Sequence, residues 1–312
     1  MESKLLRLIS EYDTIIIHRH SRPDGDALGS QLGLKRALLD NFSEKKVYAV
    51  GDKSARYSFI GEIDEIGDDV YKGALVFILD SSETSLVSDT RYQNAEKIVK
   101  IDHHIKRESF GDLEIVDESF ESCCGLVADL LIKMNLTISK EAASCLYTGM
   151  VTDSGRFRFD STTPKTFMIA SKLLESNIDI LDIYNHLYLD DFEMVVLRAK
   201  YVLKIKFTEH NVAYIKTTSE ELKELNTDIF TVSRSMVNTM AGIKDVDIWV
   251  NFTEDKETGV IVEIRSNKYN INPIAVKYGG GGHAKASGAT VSSFEEADKL
   301  LKDLDEIAKQ GK

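Results

Sequence analysis

The sequence has few cysteines, no long apolar run and no excess of positive charge, and each shortage excludes a class of protein. Its three cysteines, Cys123, Cys124 and Cys145, form neither a disulfide framework nor a metal-finger spacing, so we expect buried thiols. The longest apolar runs, such as ALVFIL at 74–79, are far too short to cross a bilayer. The first residues, MESKLLRLISEY, carry charge throughout and lack the apolar core of a signal peptide. We therefore expect a cytoplasmic protein without a membrane partner.

The charge balance is acidic, with 51 acidic residues against 39 basic ones and a net charge of -12. Long duplex nucleic acid is bound largely through neutralisation of its phosphates, so this balance argues against such a partner. A short nucleotide held locally is compatible with it, and the carboxylates are available to bind cations. A length of 312 residues with 43% hydrophobic and 29% charged residues favours two globular domains.

The first half of the chain alternates short apolar runs with helical patterns, which predicts an α/β domain. Runs that are apolar on both faces suit a mainly parallel sheet flanked by helices. The predicted strands are 14–20, 47–51, 74–80 and 97–102. The predicted helices are 27–42, 124–135, 140–151, 164–176 and 180–203.

The second half has a different pattern, with apolar and polar residues alternating as in half-buried strands. The predicted strands are 204–208, 212–217, 246–252 and 259–266, and a closing helix is predicted at 293–309. This is typical of a smaller α+β domain. We predict a first domain at 1–185, a helical linker at 186–203 and a second domain at 204–312.

Acids and histidines follow four separate apolar segments of the first half. They are His20, Asp24, Asp26, Asp80, Asp102, His103, His104 and Asp153. In an open parallel sheet, ligands bind outside the carboxyl ends of the strands, where these residues would meet. A single aspartate after a strand is commonly only a helix N-cap. Four such segments together predict a metal site instead.

The chemistry of these side chains indicates which ions they suit. Converging carboxylates repel one another, and a divalent cation removes that penalty. Gly25 lets the chain turn so that Asp24 and Asp26 can address different ions. Imidazole and carboxylate without thiolate favour Mn, Fe or Co, with catalytic Zn left open. Two ions about 3.5–4 Å apart are the usual device for activating water against a phosphate ester.

The segments HSRPDGDALGS, ILDSSE, IDHHIK and GMVTDSGRFRF resemble the four motifs of the DHH phosphoesterase superfamily, in the family's order. The segment GGGGHAKASGA at 279–289 is similar to the signature of the associated DHHA1 domain. Length and layout most resemble the bacterial nanoRNase/pAp phosphatase branch. That resemblance implies an N-terminal DHH domain, a C-terminal DHHA1 domain and Mn²⁺-dependent hydrolysis of short oligoribonucleotides and 3'-phosphoadenosine 5'-phosphate (pAp).

The resemblance also implies two metal sites that share one carboxylate. The ligands of the first are His20, Asp24 and Asp80. The ligands of the second are Asp26, Asp80, His103 and Asp153. Asp80 is the shared group, since a carboxylate has two oxygens to offer. The catalytic candidates are His104 and Asp102. The resemblance implies that His104 faces the substrate phosphate, and we expect Asp102 to orient a histidine.

The glycine run at 279–282 has two interpretations. Such runs are most often flexible linkers. This one fits neither a P-loop nor a dinucleotide fingerprint, but its amides could hold an anion, and the resemblance favours a substrate site. The substrate-binding candidates are Arg156, Arg265, Ser266, Gly281, Gly282, His283 and Ser287.

We therefore expect a Mn-dependent phosphoesterase that cleaves short oligoribonucleotides to mononucleotides and pAp to AMP with water activated by two metals. Three alternatives stay open. They are a linear dinucleotide phosphodiesterase of cyclic-dinucleotide turnover, an inorganic pyrophosphatase, and a nucleotide-binding protein without activity. The sequence leaves the oligomeric state open, with a homodimer as one option.

Overall fold

The computed structural model describes residues 2–310, and the chain divides into two compact units, Met1–Leu189 and Asp190–Lys312. The helix predicted at 180–203 is interrupted at 189–191, so its two halves belong to different units. The finer domain boundaries drawn from the sequence stay predictions. Among the helices of the described residues, none has the length and apolar content needed to cross a membrane.

Five parallel strands form the sheet of the first unit, in the order β2-β1-β3-β4-β5. The strands are β1 Thr14–His18, β2 Lys46–Ala49, β3 Leu75–Leu79, β4 Lys97–Asp102 and β5 Leu113–Val116. The predicted parallel sheet is confirmed. The edge strand β5 was not predicted, because its four residues, LEIV, are too few to show a period.

Among the residues that the structure describes, the first unit has six α-helices. They are α1 Glu2–Glu11, α2 Gly25–Asn41, α3 Cys123–Lys133, α4 Lys140–Asp153, α5 Pro164–Leu174 and α6 Ile180–Tyr188. They pack on one face of the sheet, against side chains such as Ile17, Phe77 and Ile101. The opposite face is covered by the long connections around β3, whose Tyr71 and Tyr92 are buried there. The expected flanking helices are α-helices on one face, whereas short 3₁₀ helices that carry these two tyrosines close the other.

Helices α2 and α4 approach closely through glycines spaced four apart on one face of α2, namely Gly25, Gly29 and Gly33. A Cβ at Gly29 would lie 2.5 Å from the carbonyl oxygen of Cys145 in α4. A Cβ at Gly25 would lie 2.5 Å from Oγ1 of Thr152, one residue before Asp153. Because these glycines have no side chains, the end of α4, with Asp153, can lie against the start of α2.

The second unit contains a six-stranded sheet in the order β10-β11-β9-β8-β7-β6. Its strands are β6 Lys206–Phe207, β7 Ala213–Thr217, β8 Ile248–Asp255, β9 Gly259–Ser266, β10 Gly281–His283 and β11 Ala286–Val291. Its helices are α7 Phe192–Leu203, α8 Ser219–Glu224, α9 Asn272–Lys277 and α10 Phe294–Gln310. Only β7 and β8 pair in parallel; the other pairs among the described strands are antiparallel. The predicted α+β character is confirmed.

The glycine run ends in an edge strand rather than in a flexible linker. Gly281 pairs with Gly288 and His283 with Ala286 in a hairpin of β10 and β11. Gly282 has a φ of +129°, and a Cβ there would lie 2.6 Å from the carbonyl oxygen of Ala286. Glycine is needed because both the backbone conformation and the close approach exclude a side chain.

The contact between α2 and α4 predicts different costs for two glycine substitutions. Gly29→Ala places its methyl against a backbone carbonyl that cannot move alone, and we expect the free energy of unfolding to fall by about 1–3 kcal/mol. Gly33→Ala meets Cγ of the buried Leu146 at 2.7 Å, so a side chain rather than a backbone carbonyl has to shift. There the higher helix propensity of alanine, worth about 1 kcal/mol, should offset much of the cost. Urea unfolding of both variants measures this, and equal destabilisation would contradict the packing described.

Candidate active site

The predicted acids and histidines of the first unit follow β1, β3 and β4, except that Asp26 lies in the first turn of α2 and Asp153 is the last residue of α4. The order β2-β1-β3 means that the chain leaves β1 toward one side of the sheet and later returns to the other. Ligands of open α/β sheets bind at such a switch point, in the crevice between the two central strands. Asp80 directly follows β3 there, and His20 and Asp24 follow β1. The sheet thus brings residues 60 positions apart in the sequence into one place.

One group of possible metal ligands consists of His20, Asp24 and Asp80, whose ligand atoms lie within 4.8 Å of one another. Nε2 of His20 is 3.4 Å from Oδ2 of Asp80 and 3.9 Å from Oδ1 of Asp24. Nδ1 of His20 lies 2.7 Å from the carbonyl oxygen of Ser21, to which it donates. That bond leaves the lone pair on Nε2, the nitrogen that faces the carboxylates.

A second group consists of Asp26, His103 and Asp153. Nε2 of His103 lies 3.7 Å from Asp26 Oδ2, 3.4 Å from Asp153 Oδ2 and 3.5 Å from Asp80 Oδ1. Nδ1 of His103 is 3.3 Å from the carbonyl oxygen of Phe120, so Nε2 again carries the free lone pair. Asp80 therefore presents Oδ2 to the first group and Oδ1 to the second, which is the geometry of a bridging carboxylate.

Backbone groups hold these carboxylates in place. Asp24 is the N-cap of α2 and accepts the N–H groups of Asp26 and Ala27 through Oδ1. Asp26 is 1% exposed and accepts the N–H groups of Cys123 and Cys124 at 2.7 and 2.8 Å, at the start of α3. The positive end of that helix favours a negative group at this position.

The electrostatics of the site are those of crowded carboxylates. Burial, together with the charges of Asp80 and Asp153, raises the pKa of Asp26 well above its ordinary value. Burial also raises the pKa of Asp153 to about 7, although the charge of His103 opposes the shift. Burial would lower the pKa of His20, but the hydrogen bond and charge of Asp80 outweigh it and raise that pKa to about 9. Burial would raise the pKa of Asp80 too, but the hydrogen bond of His20 and the charge of His103 lower it. Asp26 and Asp153 are thus the acids that lack enough positive charge among the protein's own groups.

A divalent cation fits this arrangement. Oδ1 of Asp80 is buried and has no hydrogen-bond partner among the described residues. The surrounding donors are imidazole nitrogens and carboxylate oxygens. Burial raises the pKa of the neighbouring thiols of Cys123 and Cys124 well above the ordinary value, so these remain protonated and are poor ligands. The three cysteines are buried and unbridged, as predicted.

His104 is placed differently from His103. Its Nδ1 lies 2.9 Å from Oδ1 of Asp102, which also accepts the backbone N–H of His104. Asp80, His103 and His104 form a third possible ligand group. However, a nitrogen that donates its proton to Asp102 has no lone pair for an ion. The hydrogen bond to Asp102 also raises the pKa of His104, despite its partial burial.

The substrate candidates of the second unit, apart from Ser266, line a surface cavity of about 670 Å³. Arg265, Gly281, Gly282 and His283 line it, together with the small residues Ala286 and Gly288. Gly288 and Ala286 of β11 pair with Glu263 and Arg265 of β9. The β11 side of the cavity is therefore lined by small residues.

Two further residues of this cavity were missed by the sequence analysis. Glu263 accepts a hydrogen bond from Arg265 at 3.0 Å and forms an ion pair with Nε of Arg234 at 2.9 Å, so that it contacts both guanidinium groups. Glu263 could have been found, because it stands two residues before Arg265 and so shares its face of β9. Nothing in the local pattern distinguishes Arg234.

The remaining candidates have other contacts. Ser266 does not line the cavity, and its hydroxyl oxygen accepts the N–H groups of Lys268 and Tyr269 in a turn. Ser287 donates to the carbonyl oxygen of His283 at 2.7 Å and braces the hairpin. Arg156 belongs to the first unit, where its guanidinium lies 4.3 Å from the ring centre of Tyr188. Their roles in substrate binding stay predictions.

Comparison with known proteins supports the same chemistry. The chain is 36% identical over 313 residues to the bifunctional oligoribonuclease and PAP phosphatase NrnA of Bacillus subtilis, with 99% of each chain covered. Its structure resembles that of an exopolyphosphatase-related protein from Bacteroides fragilis with a TM-score of 0.88 and 29% identity, covering 99% of this chain and 96% of that one.

A more distant relative is the cyclic-di-AMP phosphodiesterase GdpP of Geobacillus thermodenitrificans. It is 26% identical over 325 residues, which are 96% of this chain but 48% of the relative. Residues 14–150 match the DHH family, N-terminal domain, and residues 228–310 match the DHHA1 domain. The chain therefore belongs to the DHH phosphoesterases that carry a DHHA1 domain.

Proposed function

We propose that this protein is a Mn²⁺-dependent phosphoesterase that cleaves short oligoribonucleotides to mononucleotides and converts pAp to AMP. The observation that carries the proposal is the pair of ligand groups that meet at Asp80, at the carboxyl ends of the central strands. Phosphoesterases of the DHH family depend on metals, and the full-length similarity to NrnA points to these two substrates.

The ligand assignment follows the two groups. We assign His20, Asp24 and Asp80 to one ion. We assign Asp26, Asp80, His103 and Asp153 to the other. Bound there, the ions would supply Lewis acidity that activates water and neutralises charge on the phosphate. The mixture of imidazole and carboxylate ligands favours Mn²⁺ over structural zinc.

The protein's own groups would bind and orient the substrate. Asp102 holds Nδ1 of His104, and this turns Nε2 toward the substrate phosphate, where it can donate a hydrogen bond or a proton. In the second unit, Arg265 and Arg234 offer planar donors suited to a nucleotide phosphate, and Glu263 keeps both in place. His283 adds a donor at the rim of the same cavity.

A second candidate function is the hydrolysis of linear dinucleotides such as pApA or pGpG. Similarity to the phosphodiesterase GdpP over 96% of this chain favours it. The same metal ligands and the same cavity would serve both reactions, so only relative rates separate the two candidates. We also propose a cytoplasmic location, which suits three free cysteines that include the adjacent pair Cys123 and Cys124.

Asp80→Asn tests the shared carboxylate. Asparagine keeps the volume and tolerates the left-handed backbone of Asp80, whose φ is +53°, but it removes the charge that both ions need. We expect phosphate release from pAp to fall by more than about 100-fold, with lower Mn content by elemental analysis. Asp245→Asn is the matched control, since Asp245 is exposed and has a φ of +65°. Normal turnover by folded Asp80→Asn would remove the bridging assignment.

Variants of the two histidines separate their roles. His103→Ala removes a nitrogen that faces three carboxylates, so we expect lower metal content and lower turnover. His104→Ala should keep the metals and lose turnover by about 100- to 10,000-fold, the range for a lost general acid or base. Elemental analysis and pAp hydrolysis on both purified proteins decide the matter. Equal metal loss in the two would make His104 a ligand instead.

A substrate panel tests the specificity. We expect pAp, a dinucleotide and a 5-mer to be hydrolysed well, and a 24-mer to have a kcat/KM lower by on the order of tenfold or more. The net charge of -12 repels a long polyanion and offers its extra phosphates no cationic contacts. Arg265→Ala should weaken the short substrates most. A dinucleotide far ahead of pAp would favour the second candidate, and a 24-mer as fast as the 5-mer would contradict the proposal.

A further inference from the structure

A buried lysine lies beside the catalytic candidates and has no role in the site described so far. Lys100, in β4, has a side chain that is 0% exposed. Its Nζ lies 3.1 Å from the carbonyl oxygen of Ser82 and 3.3 Å from that of Glu108. The ring centre of Phe110 is 4.5 Å away. Burying an ammonium group is unfavourable unless its donors find acceptors and its charge finds a partner.

The charge partner is Asp102. Lys100 and Asp102 are two residues apart in β4 and so project to the same face of the sheet. Nζ lies 3.6 Å from Oδ2 of Asp102, whose side chain is also 0% exposed. The carbonyl oxygens of Ser82 and Glu108 accept hydrogen bonds from the ammonium, and Asp102, at 3.6 Å, is its ion-pair partner.

Asp102 divides its two oxygens between different partners. Oδ1 accepts the backbone N–H and the Nδ1–H of His104. Oδ2 has no hydrogen-bond partner within the described part of the chain, and Lys100 is the cation that faces it. The carboxylate is therefore held from one side by a cation that is not a metal ligand, and from the other by the histidine that it orients.

The carbonyl contacts of Lys100 join the segments on either side of this pair. Ser82 stands two residues after Asp80, and Glu108 stands four residues after His104. The carboxylate of Glu108 in turn accepts the backbone N–H of Thr84 at 2.8 Å. Movement of the ammonium would thus disturb the segments that carry the shared carboxylate and the second histidine together.

The orientation of His104 depends on this arrangement. Its side chain is 48% exposed, and among residues 2–310 its ring donates its hydrogen bond to Asp102. Nδ1 also lies 3.5 Å from Oδ1 of Asp80, so the shorter bond to Asp102 decides which carboxylate the half-exposed ring faces. Within residues 2–310, the other oxygen of Asp102 has no hydrogen-bond partner and faces the ammonium of Lys100.

We propose that Lys100 is a positioning residue that acts through Asp102. Its ammonium fixes Oδ2 of Asp102 and the flanking segments, so that Nδ1 of His104 stays on Oδ1 and Nε2 stays toward the substrate phosphate. The inference rests on the proposed phosphoesterase function. It deepens that function by adding a positioning residue that is not one of the assigned metal ligands.

Lys100→Met is the first test, because methionine keeps the length of the side chain, removes the charge and tolerates burial. In the Mn-loaded full-length protein we expect kcat for pAp to fall about 10- to 100-fold, as for loss of a group that orients a ligand or a catalytic residue. KM should change less than about threefold, with metal content unchanged. Phe110→Leu is the matched control, since it alters a neighbour of the ammonium without removing charge, and its kcat should stay within about twofold.

A double-mutant cycle separates positioning from general packing. If Lys100 acts through Asp102, then Lys100→Met should add less than about twofold to the loss already caused by Asp102→Asn. A purely structural role predicts the same factor in both backgrounds, and that result would overturn the proposal. Should Lys100→Met fail to fold, Lys100→Gln keeps donors for the two carbonyls and should show the same loss of kcat.

A measurement without metal or substrate gives an independent answer. In ¹⁵N-histidine spectra of the metal-free protein, His104 should show a protected Nδ1–H signal that is retained in Phe110→Leu and lost in both Lys100→Met and Asp102→Asn. Retention of that signal in Lys100→Met, or an unchanged kcat, would contradict the positioning role. Failure of the wild type to hydrolyse pAp or oligonucleotides would instead reject the proposed function, and the spectra would still report on the Lys100–Asp102–His104 arrangement.

Discussion

Mutual repulsion among buried carboxylates is the constraint on which the first unit depends. Asp26 and Asp80 are 1% and 3% exposed, and Asp153 lies beside them, so their charges are poorly screened by water. The fold holds them together through backbone donors at helix starts and through the close contact of α2 with α4. Cations bound among these acids would offset the repulsion between them.

Two kinds of nitrogen-bearing side chain surround these acids, and they have different tasks. Imidazoles of His20 and His103 point lone pairs inward and can share the acids with an ion. The ammonium of Lys100 contacts none of the acids assigned to metals, and it neutralises Asp102 from the side away from His104. A permanent cation at that position leaves the metal ligands free while keeping the neighbouring carboxylate charged and oriented.

The second unit handles charge in another way. There a carboxylate, Glu263, holds two guanidinium groups at the border of a cavity whose β11 side consists of small residues. Arginine presents several donors in one plane, which suits a phosphate better than a single ammonium does. The glycines of the hairpin allow a close backbone approach and a positive φ, whereas a glycine run most often provides flexibility.

The sequence by itself determined the parallel sheet and the residues at its strand ends. Apolar runs of five or six residues are long enough to show burial on both faces. An aspartate or histidine directly after such a run must lie at the carboxyl end of the strand. Short or irregular pieces such as β5, β10 and the tyrosine-bearing connections carried no period to recognise.

Only the tertiary structure decided which atoms face one another. Lys100 looks like an ordinary polar residue of a strand until the connections around β3 and after β4 bury it against Asp102. Likewise, only the structure shows that the hydroxyl of Ser266 contacts a turn and that of Ser287 the hairpin. Strand periodicity specifies the face on which a side chain lies, but its partners come from segments distant in the sequence, and local pattern carries no information about them.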